Sequence, residues 1–194
     1  MEMELTKDNY HKFDDLSIFP HDQLTKFFMS IPKIQALGFL RAFEQDFLLK
    51  YLEVCPDDLS EDWRGSLKYK THTVGELMQP APLILNENQT IGDAINGVKK
   101  IPKENLFTYG MIVDDSNKVT GVLVFKDVFY YESEEMLKDI CFKNPICLHA
   151  EDDVLDTFIA IAGKQIPEFP VVDSEGALLG TIIGSHVNDA HFLE

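Results

Sequence analysis

A chain of 194 residues with 45% hydrophobic and 26% charged side chains has the composition of a folded globular protein, long enough for one domain or two small ones. Its 33 acidic against 17 basic side chains give a formal net charge of −16, which argues against a nucleic-acid or anionic-membrane surface and favours solubility, cationic partners or divalent cations, solubility alone being the alternative reading. No apolar run reaches the roughly 18 residues of a membrane helix, Met1-Glu2-Met3-Glu4 lacks the basic and apolar regions of a signal peptide, and Cys55, Cys141 and Cys147 show no C-x-x-C spacing. A reduced, cytoplasmic setting is expected.

Residues 1 to about 67 carry a helical period. Leu24, Phe27, Phe28 and Ile31 fall at i, i+3, i+4 and i+7, with Pro20 and Asp22 as a start signal and Pro32 as an interruption. Leu37, Leu40, Phe43, Phe47 and Tyr51 continue at spacings of three and four. Pro56-Asp57-Asp58 reads as a turn, and Leu59 to Leu67, with the single Trp63, as a last short helix. Three or four short helices are expected here.

From Thr71 the pattern changes to short apolar runs alternating with helices, and it repeats. Val74, Leu77, Pro82, Leu83, Leu85, Ile91, Asp93 and Ile95 recur 63 positions later as Leu137, Ile140, Pro145, Ile146, Leu148, Val154, Asp156 and Phe158. Val113, Asp114, Val119 and Gly121 recur 59 positions later as Val172, Asp173, Leu178 and Gly180. The change of offset falls in a loop, where length varies freely. Each copy reads strand, helix, strand, turn, strand, helix. The first gives Leu83–Leu85, Thr90–Lys100, Gly110–Asp114, Val119–Val124 and a helix from Lys126, with Thr90 and Asp153 at N-cap positions. Gly110–Val124 and Phe169–Ile183 are hairpins around Asp-bearing turns. Since a lone hairpin is marginal, the two copies are expected to pack as a pseudo-symmetric pair. The fold class is α+β: a helical segment over 1–67, then tandem β-α-β-β-α units over 68–194, the first copy 68–131 and the second 132–194.

The turn Val171-Val172-Asp173-Ser174-Glu175-Gly176-Ala177-Leu178-Leu179-Gly180 and the duplicated architecture resemble a CBS-domain pair, or Bateman module. The run from Leu67 to Met78, LKYKTHTVGELM, is similar to the start of the first CBS copy in MgtE-type magnesium transporters, where an acidic helical domain precedes the pair. The helical part is shorter than in that family. The resemblance implies a non-catalytic cytosolic regulatory module that responds to Mg²⁺ and an adenine nucleotide by changing domain docking. It implies a homodimer formed through the CBS pairs, and a partner that is a membrane magnesium channel domain or another regulated protein. The alternative is a free-standing CBS pair that regulates a partner through adenine nucleotide, without a metal role.

In the CBS family an adenine nucleotide is held by a Gly-x-x-Thr/Ser-x-x-Asp pattern at the last strand and helix. Gly121-Val122-Leu123-Val124-Phe125-Lys126-Asp127 keeps the Asp and offers Lys126 to phosphate, while Val124 replaces the hydroxyl. Gly180 to His186 loses both groups. The resemblance therefore implies at most one adenosine site per chain, on Asp127 and Lys126 with walls such as Leu83 and Ile84. The alternative reading of Asp127 is a helix cap. For Mg²⁺, which keeps several waters and takes one or two carboxylates, the resemblance implies acidic faces on the helical segment and the second copy. Asp57, Asp58, Glu61 and Asp62 cluster in the first; Asp152, Asp153 and Asp156, beside Glu151, cluster in the second, with Asp189 near the end. Acids at helix starts also complement the helix dipole with no metal. His186 and His191 lack the spacing of a transition-metal pair, Gly163-Lys164 is not a P-loop, and no nucleophile–base pair emerges.

Overall fold

The computed structural model describes residues 5–13, 15–101 and 108–183, and the chain divides into two compact units, 1–70 and 71–194.

The first unit is helical. After 3₁₀ turns at Tyr10–Lys12 and Leu16–Ile18 come α1 (His21–Ser30), α2 (Lys33–Ala42), α3 (Gln45–Val54) and α4 (Asp57–Ser66). Pro20, Pro32 and Pro56 stand immediately before α1, α2 and α4. A helix start leaves its first N–H groups unpaired in any case, so a residue without one costs nothing there. The apolar run from Leu37 to Tyr51 is two helices, not one, because Phe43 and Glu44 take extended backbone. Neither Gly nor Pro marks that break, and the apolar spacing carries on across it. The core is aromatic. Tyr51 stacks on Trp63 at 5.8 Å and 25°, and Phe28 meets both rings edge-on at 5.9 and 5.8 Å. The buried Tyr51 hydroxyl, its pKa pushed up by burial, shares a 3.1 Å hydrogen bond with Thr25, and Ser60 donates to the Leu52 carbonyl at 2.6 Å. Tyr51 and Ser60 are thus buried with partners, whereas the buried Ser66 hydroxyl has none among the described residues.

The second unit holds the two copies. The first contributes α5 (Val74–Leu77), β1 (Ile84–Asn86), α6 (Ile91–Val98), β2 (Tyr109–Val113) and β3 (Val119–Val124). The second contributes α7 (Leu137–Ile140), β4 (Phe142–Lys143), β5 (Leu148–His149), α8 (Val154–Ile161), β6 (Glu168–Val172) and β7 (Leu178–Ile183). Sheet order is β1-β2-β3-β4 in one sheet and β5-β6-β7 in the other. In each, a parallel pair joins an antiparallel hairpin, as the repeat requires. Both hairpins bulge at the same place, between Ile112 and Val113 and between Val171 and Val172. Both turns are pinned by an aspartate that accepts two backbone N–H bonds at 2.8–2.9 Å, Asp114 from Ser116 and Lys118, Asp173 from Glu175 and Ala177. Thr90 forms a reciprocal capping box with Asp93, and Asp153 accepts from the amides of Leu155 and Asp156, as the N-cap reading expects. The expected helix from Lys126 is instead a 3₁₀ turn, Phe125–Tyr130.

The copies meet turn to turn. Lys118 bridges Ala177, its own equivalent, so the local twofold passes between them, flanked by Val119 N–H to the Gly176 carbonyl and Leu178 N–H to the Asn117 carbonyl. They also exchange their leading segments. β4, which opens the second copy, pairs with β3 of the first, and Gln79, just before the first copy's β1, bridges Thr181 of β7. The short helices follow suit: Leu137 donates to Gln89 and Lys138 to Glu87, while Val74 donates to Asp152 and Gly75 to Ala150. Two glycines permit this approach. A Cβ at Gly180 would lie 2.5 Å from the Gln79 carbonyl oxygen, and one at Gly121 2.6 Å from Cys141 Sγ and 3.0 Å from the Phe142 oxygen. Gly121 and Gly180 are equivalents in the repeat, so the sequence carries the same requirement twice.

Candidate functional site

Exchange of leading segments builds a cleft from both copies. Its volume is about 310 Å³, within the range of small-molecule sites. Among the described residues its walls are Tyr109, Val122 and Val124 of the first copy and Phe142, Asn144, Pro145, Ile146, Ile166, Glu168 and Pro170 of the second. Alternation along β3 explains two of these: Val122 and Val124 face one side, while Leu123 faces the first copy's core. Tyr109 and Glu168 stand 59 positions apart, at the head of β2 and of β6, and so face each other across the local twofold. Burial raises the pKa of the Tyr109 phenol, and the Glu168 charge adds to the shift. The wall is thus mostly apolar, with one phenol, one carboxylate and the Asn144 amide.

Twofold-related positions are packed differently. Where the cleft has Pro170, the equivalent position holds Met111, fully buried and clustered with Val113, Val122 and Leu178. Where it has Ile146, the equivalent is Leu83, buried among Leu85, Ile91 and Ala94.

The expected walls Leu83 and Ile84 therefore sit elsewhere: Leu83 is core, and Ile84 points out from β1, half exposed. The reason is the exchange. The wall beside the end of β3 comes from the second copy's leading segment, so Pro145 and Ile146 occupy the place that same-copy reasoning gives to Pro82 and Leu83. Lys126 and Asp127 follow Val124 in the 3₁₀ turn, beyond the lining residues; Lys126 is exposed and Asp127 half-buried. Among the described residues Asp127 caps nothing: the turn opens on Val124 with no side-chain cap. Tyr109 and Glu168 are absent from the sequence-derived site. A lone carboxylate opening the apolar run Phe169 to Val172 was the available signal.

The sequence matches the CBS domain family over residues 74–134 and 137–186, more than half of the chain. The chain belongs to the CBS-domain family. It is 26% identical over 124 residues to the magnesium transporter MgtE of Enterococcus faecalis, covering 63% of this chain and 27% of that protein. The Thermus thermophilus MgtE is 23% identical over 123 residues, covering 63% and 27%. The chain thus spans about a quarter of the length of these curated relatives. Its fold is similar to the soluble part of a magnesium transporter, at 20% identity and a TM-score of 0.73 over 96% of this chain and 72% of that one. It is similar also to the cytosolic domain of the Mg²⁺ channel MgtE in complex with ATP, at 18% identity and a TM-score of 0.76 over 96% and 76%. A helical segment followed by a CBS pair is therefore the shared architecture. No helix among the described residues is long and apolar enough to cross a membrane.

Some of the acidic candidates are engaged locally. In the helical unit Asp62 pairs with Lys33 at 2.7 Å, and Asp57 and Asp58 lie in the first turn of α4, where they complement its dipole. Glu61 is exposed. In the second CBS copy Asp153 is the cap of α8, Asp156 lies in its first turn, and Asp152 is exposed beside them. Asp189 lies outside the described residues. Among the described residues no three His, Cys, Asp or Glu side chains converge as metal ligands.

Proposed function

We propose that this chain is a non-catalytic cytosolic regulatory module of MgtE type, and that an adenine nucleotide in the cleft between its CBS copies, together with Mg²⁺, changes how the helical unit docks. The observation that carries the nucleotide part is the cleft itself: its apolar walls suit a purine, and Tyr109 offers an aromatic face. Lys126 and Asp127, two and three residues beyond Val124, are proposed to serve the phosphate and the ribose. Because the cleft's walls come from both copies, a ligand that spans them favours one arrangement of the pair, and this differential affinity is what shifts a population. The similarity to MgtE proteins supports the Mg²⁺ part, in which Asp57, Asp58, Glu61 and Asp62 answer Asp152, Asp153, Asp156 and Asp189 through the ion.

A homodimer is part of the same proposal, and a membrane magnesium channel domain is the regulated partner. Leu155 and Ile159 leave an apolar strip on the outer face of α8, and Phe129 and Tyr130 are more than four-fifths exposed, so the pair has apolar surface to cover. A second reading, a CBS pair that regulates a partner through nucleotide without metal, is favoured by one observation: caps and the Lys33 ion pair already account for several of the acids.

Titrating Mg²⁺ from zero to about 20 mM, near the weak-binding range of sites with few protein ligands, separates the two. The first reading expects compaction in scattering and protection from limited proteolysis that matched monovalent salt does not reproduce. Identical behaviour in both salts leaves only the second. Calorimetry with ATP, ADP and AMP tests the nucleotide part. Asp127→Ala is expected to weaken binding about tenfold, the loss of one charge-assisted hydrogen bond, and unchanged binding removes Asp127 from the site.

A further inference from the structure

The 3₁₀ turn after β3 buries one side only. With about three residues per turn, Phe125 and Val128 fall on the same side, and both pack against the first copy's core. Phe129 and Tyr130 are left pointing outward, 85% and 82% exposed, and Tyr131 follows at 37%. Among the described residues Phe129 and Tyr130 are the two most exposed large apolar side chains. Adjacent rings held this far into water mark a contact surface.

The chain then turns acidic. Glu132, Glu134 and Glu135 are exposed, and no Lys or Arg lies between Phe129 and Glu135. Lys126 and Lys138 flank the stretch, and the Lys138 ammonium is already bonded to the Asn88 side-chain oxygen at 3.3 Å. The acidic segment is fixed in place. Its Ser133 and Glu135 carbonyls accept from the Gly92 and Ile91 amides at 2.9 and 3.0 Å, closing the start of α6. The Glu135 carboxylate accepts from the Glu132 amide at 2.8 Å. Rings and carboxylates are thus carried on backbone that needs little further ordering on binding.

This chemistry selects an occupant. Aromatic faces attract cations as well as apolar groups, and exposed carboxylates draw basic groups and repel acidic ones. A second copy suits the surface poorly, because a twofold contact sets the same acidic rim against itself in a protein of net charge −16. An anionic lipid surface is repelled for the same reason.

We propose that Phe129 and Tyr130, with the rim of Glu132, Glu134 and Glu135, form a docking surface for a basic, partly apolar segment of another protein. Its Arg or Lys side chains lie over the rings and against the carboxylates. The inference does not rest on the nucleotide or Mg²⁺ reading, and it leaves the Leu155–Ile159 strip of α8 for the homodimer.

The test is fluorescence anisotropy on the full chain with labelled model peptides: Arg/Leu, and Arg/Ser of equal charge. The Arg/Leu peptide is expected to bind Phe129→Ser/Tyr130→Ser at least about tenfold more weakly than wild type, the scale of truncated aromatic anchors. Phe129→Tyr/Tyr130→Phe keeps both rings and should bind like wild type. Neutralising the rim with Glu132→Gln, Glu134→Gln and Glu135→Gln, the last keeping an acceptor for the Glu132 amide, should cost about fivefold at low salt and little at high salt. Neutralising three exposed acids elsewhere, with Glu44→Gln, Glu53→Gln and Glu175→Gln, should leave binding within about twofold of wild type. Equal binding by wild type and the double serine variant overturns the proposal. So do equal losses in the two glutamine triples, or equal affinity for the two peptides, which are the marks of general charge attraction. A dimer seen by sedimentation that the serine variant abolishes, with no peptide bound, overturns it too by giving the surface to a second copy.

Discussion

The two CBS copies have nearly the same backbone plan and different interiors at the site. Each has the parallel strand, the bulged hairpin with its aspartate-pinned turn, and the capped helix, and each lends its leading segment to the other. Yet Pro170, Ile146 and Glu168 line a cleft, whereas their equivalents Met111, Leu83 and Tyr109 contribute two core side chains and an aromatic wall. Scaffold positions are held by backbone geometry, which both copies need. Cleft-lining positions carry no such backbone requirement and differ between the copies. Duplication therefore preserves the frame and lets the two faces of the twofold specialise.

The largest expected effect tests the shared frame. Gly180→Ala forces a Cβ onto the Gln79 backbone oxygen, which cannot rotate away, and should destabilise the CBS unit by about 3 kcal/mol, the upper end for overpacking. Gly121→Ala meets mainly the Cys141 side chain, which has freedom to move, and should cost about 1–2 kcal/mol. Urea denaturation followed on the CBS unit checks the order. Equal costs would contradict the distinction between a fixed backbone neighbour at Gly180 and a movable side chain at Gly121.

The divergent position comes next. Because burial holds the Glu168 carboxyl above its ordinary range, the folded state binds a proton that the unfolded state has released. The stabilising contribution is complete below the unfolded pKa of about 4.3 and is lost as pH rises through the folded pKa. Glu168→Gln is therefore expected to be more stable than wild type at pH 7 by about 1 kcal/mol, comparable to a modest desolvation cost. The gap should shrink on acidification toward pH 4. Thermal melts over that range check it, and a gap that grows in acid contradicts it.

The smallest effect returns to the common plan. Thr90→Ala and Asp153→Ala remove equivalent N-caps, each worth about 1 kcal/mol. Similar losses in the two denaturation curves are expected, and a much larger loss at Asp153 would give that residue work beyond its helix.

Much of this was legible in the sequence. The 63- and 59-residue offsets locate both hairpins, both caps and the paired arrangement, since local periodicity and turn chemistry decide those elements. The break at Phe43–Glu44 was not legible, because an apolar stripe can persist across two helices that share a core. The 3₁₀ turn at Phe125–Tyr130 escaped for a similar reason: so short a segment carries little period. The lining of this cleft was not legible, because strand exchange is a long-range event. Leu83 and Ile146 look equivalent in sequence, and only the pairing of β4 with β3 decides which of them meets the end of β3. Glu168 is readable in the sequence as a lone carboxylate at the head of an apolar run, whereas its place in the cleft wall with Tyr109 depends on the packing of the two copies.

The account's central claim is that one of two twofold-related clefts holds the ligand. Val124 lines it, and Ile183 is the equivalent residue at the end of β7. Calorimetric titration of the full chain with AMP and ATP should give one site per chain, abolished by Val124→Trp and retained by Ile183→Trp. Two sites per chain, or one that survives Val124→Trp and disappears with Ile183→Trp, would contradict it.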